Sequence, residues 1–215
     1  MENKWEDFAK NFEQSNNYVV GIDDINRVKQ RLARHRELGD VLELGCGNGT
    51  YTSSLLASAK RVVATDVSQQ MLEVTKIRFE QEPKVVVELA DCFALSYQDA
   101  SFDTVFMANL LHVLPNPEQA LHECMRVLKP GGQLIAVSFT LHDMSFFNKL
   151  GLKYRYLRKY GSKKSNNSIV MTPVLAHELA ASAGLQNIAT EMLGQRVKAV
   201  HLSGVKSEHE ELVAG

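Results

Sequence analysis

At 215 residues, 45% hydrophobic and 23% charged with a formal net charge of −1, the chain has the size and balance of one globular domain with a sizeable core. That composition excludes a low-complexity or disordered chain, and it gives no global basic field for nucleic acid, so no nucleic-acid partner is expected. No stretch is apolar enough to cross a bilayer and the first residues lack a signal-peptide pattern, so a cytoplasmic location is expected.

The chain opens with Trp5, Phe8 and Phe12 at spacings of three and four, the mark of an amphipathic helix over 2–14. A polar break at Ser15-Asn16-Asn17 follows, then Asp23 and Asp24 as acids suited to a helix start, with Ile25, Val28 and Leu32 on one face. Residues 1–36 therefore read as a helical cap ahead of the main domain. From Asp40 the pattern alternates between strands and helices, as in a parallel sheet covered on both faces. Strands are expected at 40–44, 61–65, 84–89, 102–108 and 132–139, and helices at 50–59, 68–80 and 117–128. Gly131-Gly132 after Lys129-Pro130 marks a stop and turn before the fifth strand.

Residues 141–172 break this rhythm, with Phe146, Phe147, Leu150, Tyr154, Tyr156, Leu157 and Tyr160 set among Lys149, Lys153, Arg155, Arg158, Lys159, Lys163 and Lys164. No acid falls between Asp143 and Glu178. The segment reads as a solvated basic helix, as a substrate lid, or as a patch over 144–164 that rests on an acidic membrane surface. A helix from Pro173 ending at Gly184 and two strands at 186–193 and 196–203 complete the pattern, and the polar end from Ser207 is expected to fray.

The chemistry concentrates in Glu43-Leu44-Gly45-Cys46-Gly47-Asn48-Gly49, an acid followed by three glycines at alternate positions where a strand turns into a helix. Such a turn bares backbone to a ligand. The even spacing differs from the dinucleotide pattern, and Glu43 would repel a pyrophosphate, so a ligand with a cationic end fits better. Asp66 at the tip of the second strand can accept two ribose hydroxyls, with Val67 and the helix-capping Ser68 behind it. Asp91 after the third strand can accept an adenine amine, while Met71 or Phe93 packs on the ring. Cys46, Cys92 and Cys124 are isolated, which fits reduced thiols, and no metal cluster is read; Cys46 lacks the basic neighbour that a nucleophile needs.

This set resembles the class I S-adenosylmethionine-dependent methyltransferases, particularly the small-molecule branch of the ubiquinone and menaquinone biosynthesis type. The resemblance rests on Val41 to Gly49, Asp66, Ala90-Asp91-Cys92, Ser101-Phe102-Asp103 and Leu128 to Gly132, in the family's order and spacing. It implies a single domain, 1–215, with a Rossmann-like α/β fold: a seven-stranded mixed sheet of order 3-2-1-4-5-7-6, strand 7 antiparallel, and helices on both faces. Its cofactor core would span 37–140, the substrate lid 141–172, and the last helix and strands 173–205. It further implies S-adenosyl-L-methionine as methyl donor and a small-molecule acceptor. Glu43, Gly45, Cys46, Gly47, Gly49, Asp66, Val67, Met71, Asp91, Cys92, Phe93, Asn109 and Leu110 would then surround the donor. Asp103 belongs to the pattern but is expected to cap or pair away from the site. His112, directly after strand four, is the candidate base, and Tyr18 is a second candidate from the segment before the first strand. A nicotinamide-dependent oxidoreductase and a non-catalytic binder of the same cofactor are the competing readings, the first disfavoured by Glu43 and the glycine spacing.

Overall fold

The structure, a computed structural model, describes residues 4–161 and 169–208, with side chains from Asn11 onward except Phe12. The expectations for Trp5, Phe8 and Phe12 as a packing face, for Lys163 and Lys164, and for the chain end beyond Glu208 fall outside the described residues. Strands β1 (Gly39–Leu44), β2 (Ala59–Asp66), β3 (Val85–Leu89), β4 (Phe102–Ala108), β5 (Leu128–Thr140), β6 (Leu185–Leu193) and β7 (Lys198–Lys206) form one sheet. Its order is β3-β2-β1-β4-β5-β7-β6, with β7 antiparallel to both neighbours and the remaining pairs parallel.

Period-two alternation decides which side chains face which layer. On one face Val41, Val62, Ala64, Phe106 and Ile135 pack with Ile25, Val28 and Leu32 of α2 (Ile22–Leu32) and Leu72 of α3 (Gln69–Arg78). On the other, Leu42, Leu44, Val63, Val105 and Leu134 pack with Leu121 and Cys124 of α4 (Pro117–Val127) and Ala176 and Leu179 of α6 (Pro173–Ser182). The central strands β1 and β4 are thus buried on both sides, which suits their apolar parallel runs, while the edge strands β3 and β6 stay more exposed. Because β1 lies between β2 and β4, the chain reverses its direction of winding there, and a crevice opens beyond the carboxyl ends of those strands.

Several local expectations are corrected. No helix fills 50–59; a single 3₁₀ turn, Thr52–Ser54, stands there instead. Thr50, Thr52, Ser53 and Ser54 are poor helix formers, and the hydroxyls of Thr50 and Thr52 bond Asn48 and Glu43 rather than their own turn. The stop at Gly131-Gly132 is an irregularity inside β5, where pairing moves from Phe102 with Leu128 to Thr104 with Gln133. Helix α1 (Lys4–Val19) runs straight through the polar Ser15-Asn16-Asn17 segment and packs on α3 and on α5 (Phe146–Tyr160).

Asp103 behaves as expected, accepting from the Asp40 N–H at 2.7 Å and pairing with the Lys129 ammonium at 2.7 Å, at the end of the sheet opposite the crevice. Asp24 does more than favour the start of α2. Its buried carboxylate accepts the backbone N–H groups of Gln195, Arg196 and Val197 at 2.7, 3.1 and 2.8 Å, fastening the β6–β7 turn to the helical layer. Asp24→Ala leaves those donors without their acceptor. It should lower stability by about 2–4 kcal/mol in a urea titration, whereas the exposed neighbour Asp23→Ala should change it by less than about 0.5 kcal/mol.

Candidate functional site

The crevice is a cleft of about 350 Å³ lined by Asn16, Glu43, Gly45, Cys46, Gly47, Asn48, Thr50, Tyr51, Asp66, Ser68, Met71, Ala108, Asn109 and Leu110. Its floor is the turn after β1. Gly47 holds a left-handed φ of 55°, and a Cβ there would meet nothing within 4 Å, so the backbone lies open to a ligand. Gly49, at φ 74°, serves packing: a Cβ would fall 2.5 Å from the Phe79 ring. The turn is held from β2, since the Asp66 carboxylate accepts the Gly47 N–H at 2.9 Å through one oxygen and the Ser68 N–H at 2.8 Å through the other. Each oxygen keeps a further lone pair.

Glu43 is 1% exposed although it borders the cleft, and it accepts the Thr52 hydroxyl at 2.6 Å. Burial raises its pKa to about 7 against the opposing Thr52 bond, with the nearby Asp66 charge adding to the rise. Beside it, the buried Asn48 accepts the Thr50 hydroxyl at 2.6 Å through its carbonyl, while its Nδ2 has no hydrogen-bond partner among the described residues. One cleft therefore combines a buried acid with an unused donor. Cys46 is buried, and burial together with the Glu43 and Asp66 charges pushes its thiol pKa well up, the reverse of a nucleophile. On the far wall Asn109 adopts φ 57° at the end of β4 and its side-chain oxygen accepts the Phe139 N–H at 3.0 Å.

Of the residues singled out in the sequence, Glu43, Gly45, Cys46, Gly47, Asp66, Met71, Asn109 and Leu110 meet around this cleft. Gly49, Val67, Asp91, Cys92 and Phe93 do not line it. Val67 is exposed directly after β2, and Asp91 follows β3, whose last residue Leu89 pairs with Asp66. The Asp91 carboxylate accepts the Phe93 N–H at 3.0 Å, while the Cys92 side chain and, in part, the Phe93 ring belong to the core. Sequence reasoning missed Asn16, Asn48, Thr50, Tyr51, Ser68 and Ala108 as cleft residues. Asn48 was legible, lying between two glycines of the turn; Asn16 was not, because only the docking of α1 brings it there.

His112 and Tyr18 lie outside this cleft. His112 lines a second pocket of about 330 Å³ with Val20, Phe139, Thr140, Leu141, Leu152, Ile169, Val170 and Val197. Its Nδ1 is buried without a hydrogen-bond partner among the described residues, and burial lowers its pKa below the ordinary 6.5. The two pockets share a wall through the bond from Phe139 to Asn109. Tyr18 sits in the last turn of α1 and is 42% exposed, near Arg158 of α5. No three metal-ligating side chains cluster among the described residues, and no described helix is long and apolar enough to cross a membrane.

The family described as a methyltransferase domain matches residues 42–136, the stretch from β1 to β5 that builds the cleft. A demethylmenaquinone methyltransferase of Paenarthrobacter aurescens is 31% identical over 186 residues, covering 80% of this chain and 72% of that protein. Another of that name, from Clavibacter sepedonicus, is 38% identical over 122 residues, which cover 56% of this chain and 50% of that protein. The chain thus spans about half the length of some curated relatives it matches. A solved S-adenosylmethionine-dependent methyltransferase from Aquifex aeolicus has the same fold, with a TM-score of 0.65 at 18% identity over 94% of this chain and 99% of that one. On the extent of the Paenarthrobacter match and the family match across the cleft, the chain belongs to the class I S-adenosylmethionine-dependent methyltransferases.

Proposed function

We propose that the cleft at the ends of β1, β2 and β4 binds S-adenosyl-L-methionine, and that the His112 pocket takes a small-molecule acceptor. The observation that carries the reading is the pairing of a buried acid and an unused amide donor, Glu43 and Asn48, beside an open glycine backbone. A zwitterionic amino-acid tail satisfies both: its ammonium restores the charge on Glu43, and its carboxylate accepts from Asn48 Nδ2. The free lone pairs of Asp66 suit the ribose hydroxyls. The adenine then extends along Val67 and Met71 to Asp91, Cys92 and Phe93 at the next strand end. When bound, the sulfonium supplies an electrophilic methyl group and leaves as a neutral thioether.

The protein's own task is alignment and dehydration. Asn109 and Leu110 border the donor cleft, and Asn109 also forms the wall to the second pocket, so this strand end sets the line of approach for an in-line displacement. Holding the two reactants in that line supplies up to about 7–11 kcal/mol in ideal cases. The acceptor pocket is apolar except for His112 and Thr140, and the Thr140 hydroxyl is already committed to the Met171 carbonyl. His112 is therefore the polar contact left for the acceptor. With its pKa lowered by burial it stays neutral at pH 7, so its Nδ1 can accept a proton from a hydroxyl or amine as the new bond forms. The demethylmenaquinone methyltransferases among the relatives support a small-molecule acceptor for this chain.

Calorimetry tests the donor site: S-adenosylhomocysteine should bind while NAD does not, and binding of NAD alone would overturn the assignment. Asp66→Ala should weaken S-adenosylhomocysteine by roughly 10-fold or more, as loss of a charged acceptor for two hydroxyls requires. His112→Ala should lower kcat roughly 100-fold with donor affinity unchanged, and the acid limb of the wild-type rate profile should lie below pH 6.5. A profile that is flat through that region, or an unaffected kcat, would leave the displacement without a base.

Glu43 gives a stability test without any acceptor. Its folded pKa of about 7 exceeds the ordinary 4.5, so between those values the folded state holds a proton that the unfolded state releases. Stability then falls as pH rises through that window, with a deficit of up to about 3 kcal/mol complete above it. Glu43→Gln should therefore raise the thermal midpoint of the ligand-free protein at pH 8 and leave it little changed near pH 5.

A further inference from the structure

Helix α5 turns most of its apolar side chains outward. Asn148, Gly151, Leu152 and Arg155 lie on the half-buried side, where the Arg155 guanidinium donates to the Val19 carbonyl at 2.9 Å. The outward side carries Phe146, Leu150, Tyr154 and Leu157, at spacings of three and four, with Phe147 beside them. Phe146 is 74% exposed, Phe147 81%, Leu150 55% and Tyr154 60%, and no residue of the helix is buried. Lys149, Lys153 and Arg158 flank this strip, and all are exposed. No acid occurs in the chain between Asp143 and Glu178 to neutralise them. A groove of about 570 Å³ runs beside the strip, lined by Leu141, Phe146, Lys149, Leu150, Leu152, Lys153 and Tyr156. It shares Leu141 and Leu152 with the His112 pocket.

We propose that the outward face of α5 docks the protein on an anionic lipid surface, with Phe146, Phe147 and Leu150 entering the headgroup boundary and the flanking cations contacting lipid phosphates. The charge argues for this occupant. A second copy meeting α5 face to face would bring Lys149, Lys153 and Arg158 against their own counterparts, which repel. A bilayer instead takes the apolar strip into its boundary while Lys and Arg reach back to its phosphates and tyrosines settle at headgroup level. Docked in this way, the groove opens from the lipid side toward the second pocket, so an apolar molecule dissolved in the membrane can reach it without crossing water.

Sedimentation with vesicles tests the proposal and needs no methyl transfer, so its failure is separate from failure of the catalytic reading. The protein should pellet with phosphatidylcholine vesicles containing about one third phosphatidylglycerol, remain in solution with phosphatidylcholine alone, and detach at about 0.5 M salt. Phe146→Ser with Phe147→Ser, and separately Lys149→Glu with Lys153→Glu, should each weaken pelleting roughly tenfold or more while circular dichroism stays unchanged. The side chains are exposed, so these variants keep the fold. Three results would overturn the inference: no pelleting of the wild type, equal pelleting with neutral and anionic vesicles, or a dimer in velocity sedimentation that the double serine variant disperses.

Discussion

The bond from the Gly47 N–H to the Asp66 carboxylate, 2.9 Å long, joins the turn after β1 to the tip of β2, and the shape of the cleft depends on it. Without it the turn keeps the Thr75 hydroxyl on the Gly47 carbonyl and the Arg78 guanidinium on the Asn48 carbonyl, but loses its side-chain tie to the tip of β2. With it, one carboxylate both shapes the turn and retains lone pairs for a ligand. The Ser68 N–H completes the clamp from the start of α3, and Ser68 in turn caps that helix at Met71, so the wall bearing Met71 moves as one piece with the turn.

A second constraint follows from the crossing of β1 between β2 and β4. That position buries Glu43 at the end of a strand whose neighbours are apolar, and it aligns Asn109, three residues before His112, with the same opening. Asn109 tolerates its left-handed backbone better than most residues would, and its side chain then caps the Phe139 N–H of β5. The cleft and the His112 pocket are therefore joined at a wall where Asn109 of the first bonds Phe139 of the second.

The strands were legible because parallel strands buried on both faces are short apolar runs between glycine, proline and acids, and β1, β2 and β4 have that character. The missing helix at 50–59 was not, since its threonine and serine hydroxyls find partners in Glu43 and Asn48 that only the folded turn supplies. Asp24 illustrates the same limit: as a helix-start acid it has a local reading, whereas its bonds to residues 195–197 join parts of the chain more than 170 positions apart. At the site, the acids and glycines were readable from motif spacing. Asn16, Tyr51 and the separate pocket of His112 depend on how α1 and residues 169–170 pack, and no local pattern encodes that. The outward apolar strip of α5 was visible as composition, but its direction was not, because helical period alone does not say which face meets the protein.

Glu43 makes the cleft a proton exchanger as well as a binding surface. Below about pH 7 its carboxyl is neutral in the empty protein, and the ammonium of the proposed ligand would favour the ionised form, so that a proton would leave as the ligand enters. On the proposed reading, affinity for the donor and for its product, which carry the same ammonium, would then climb together with pH toward neutrality and level off above it. A modest acidification would loosen both equally, slowing capture and relieving product retention in the same step.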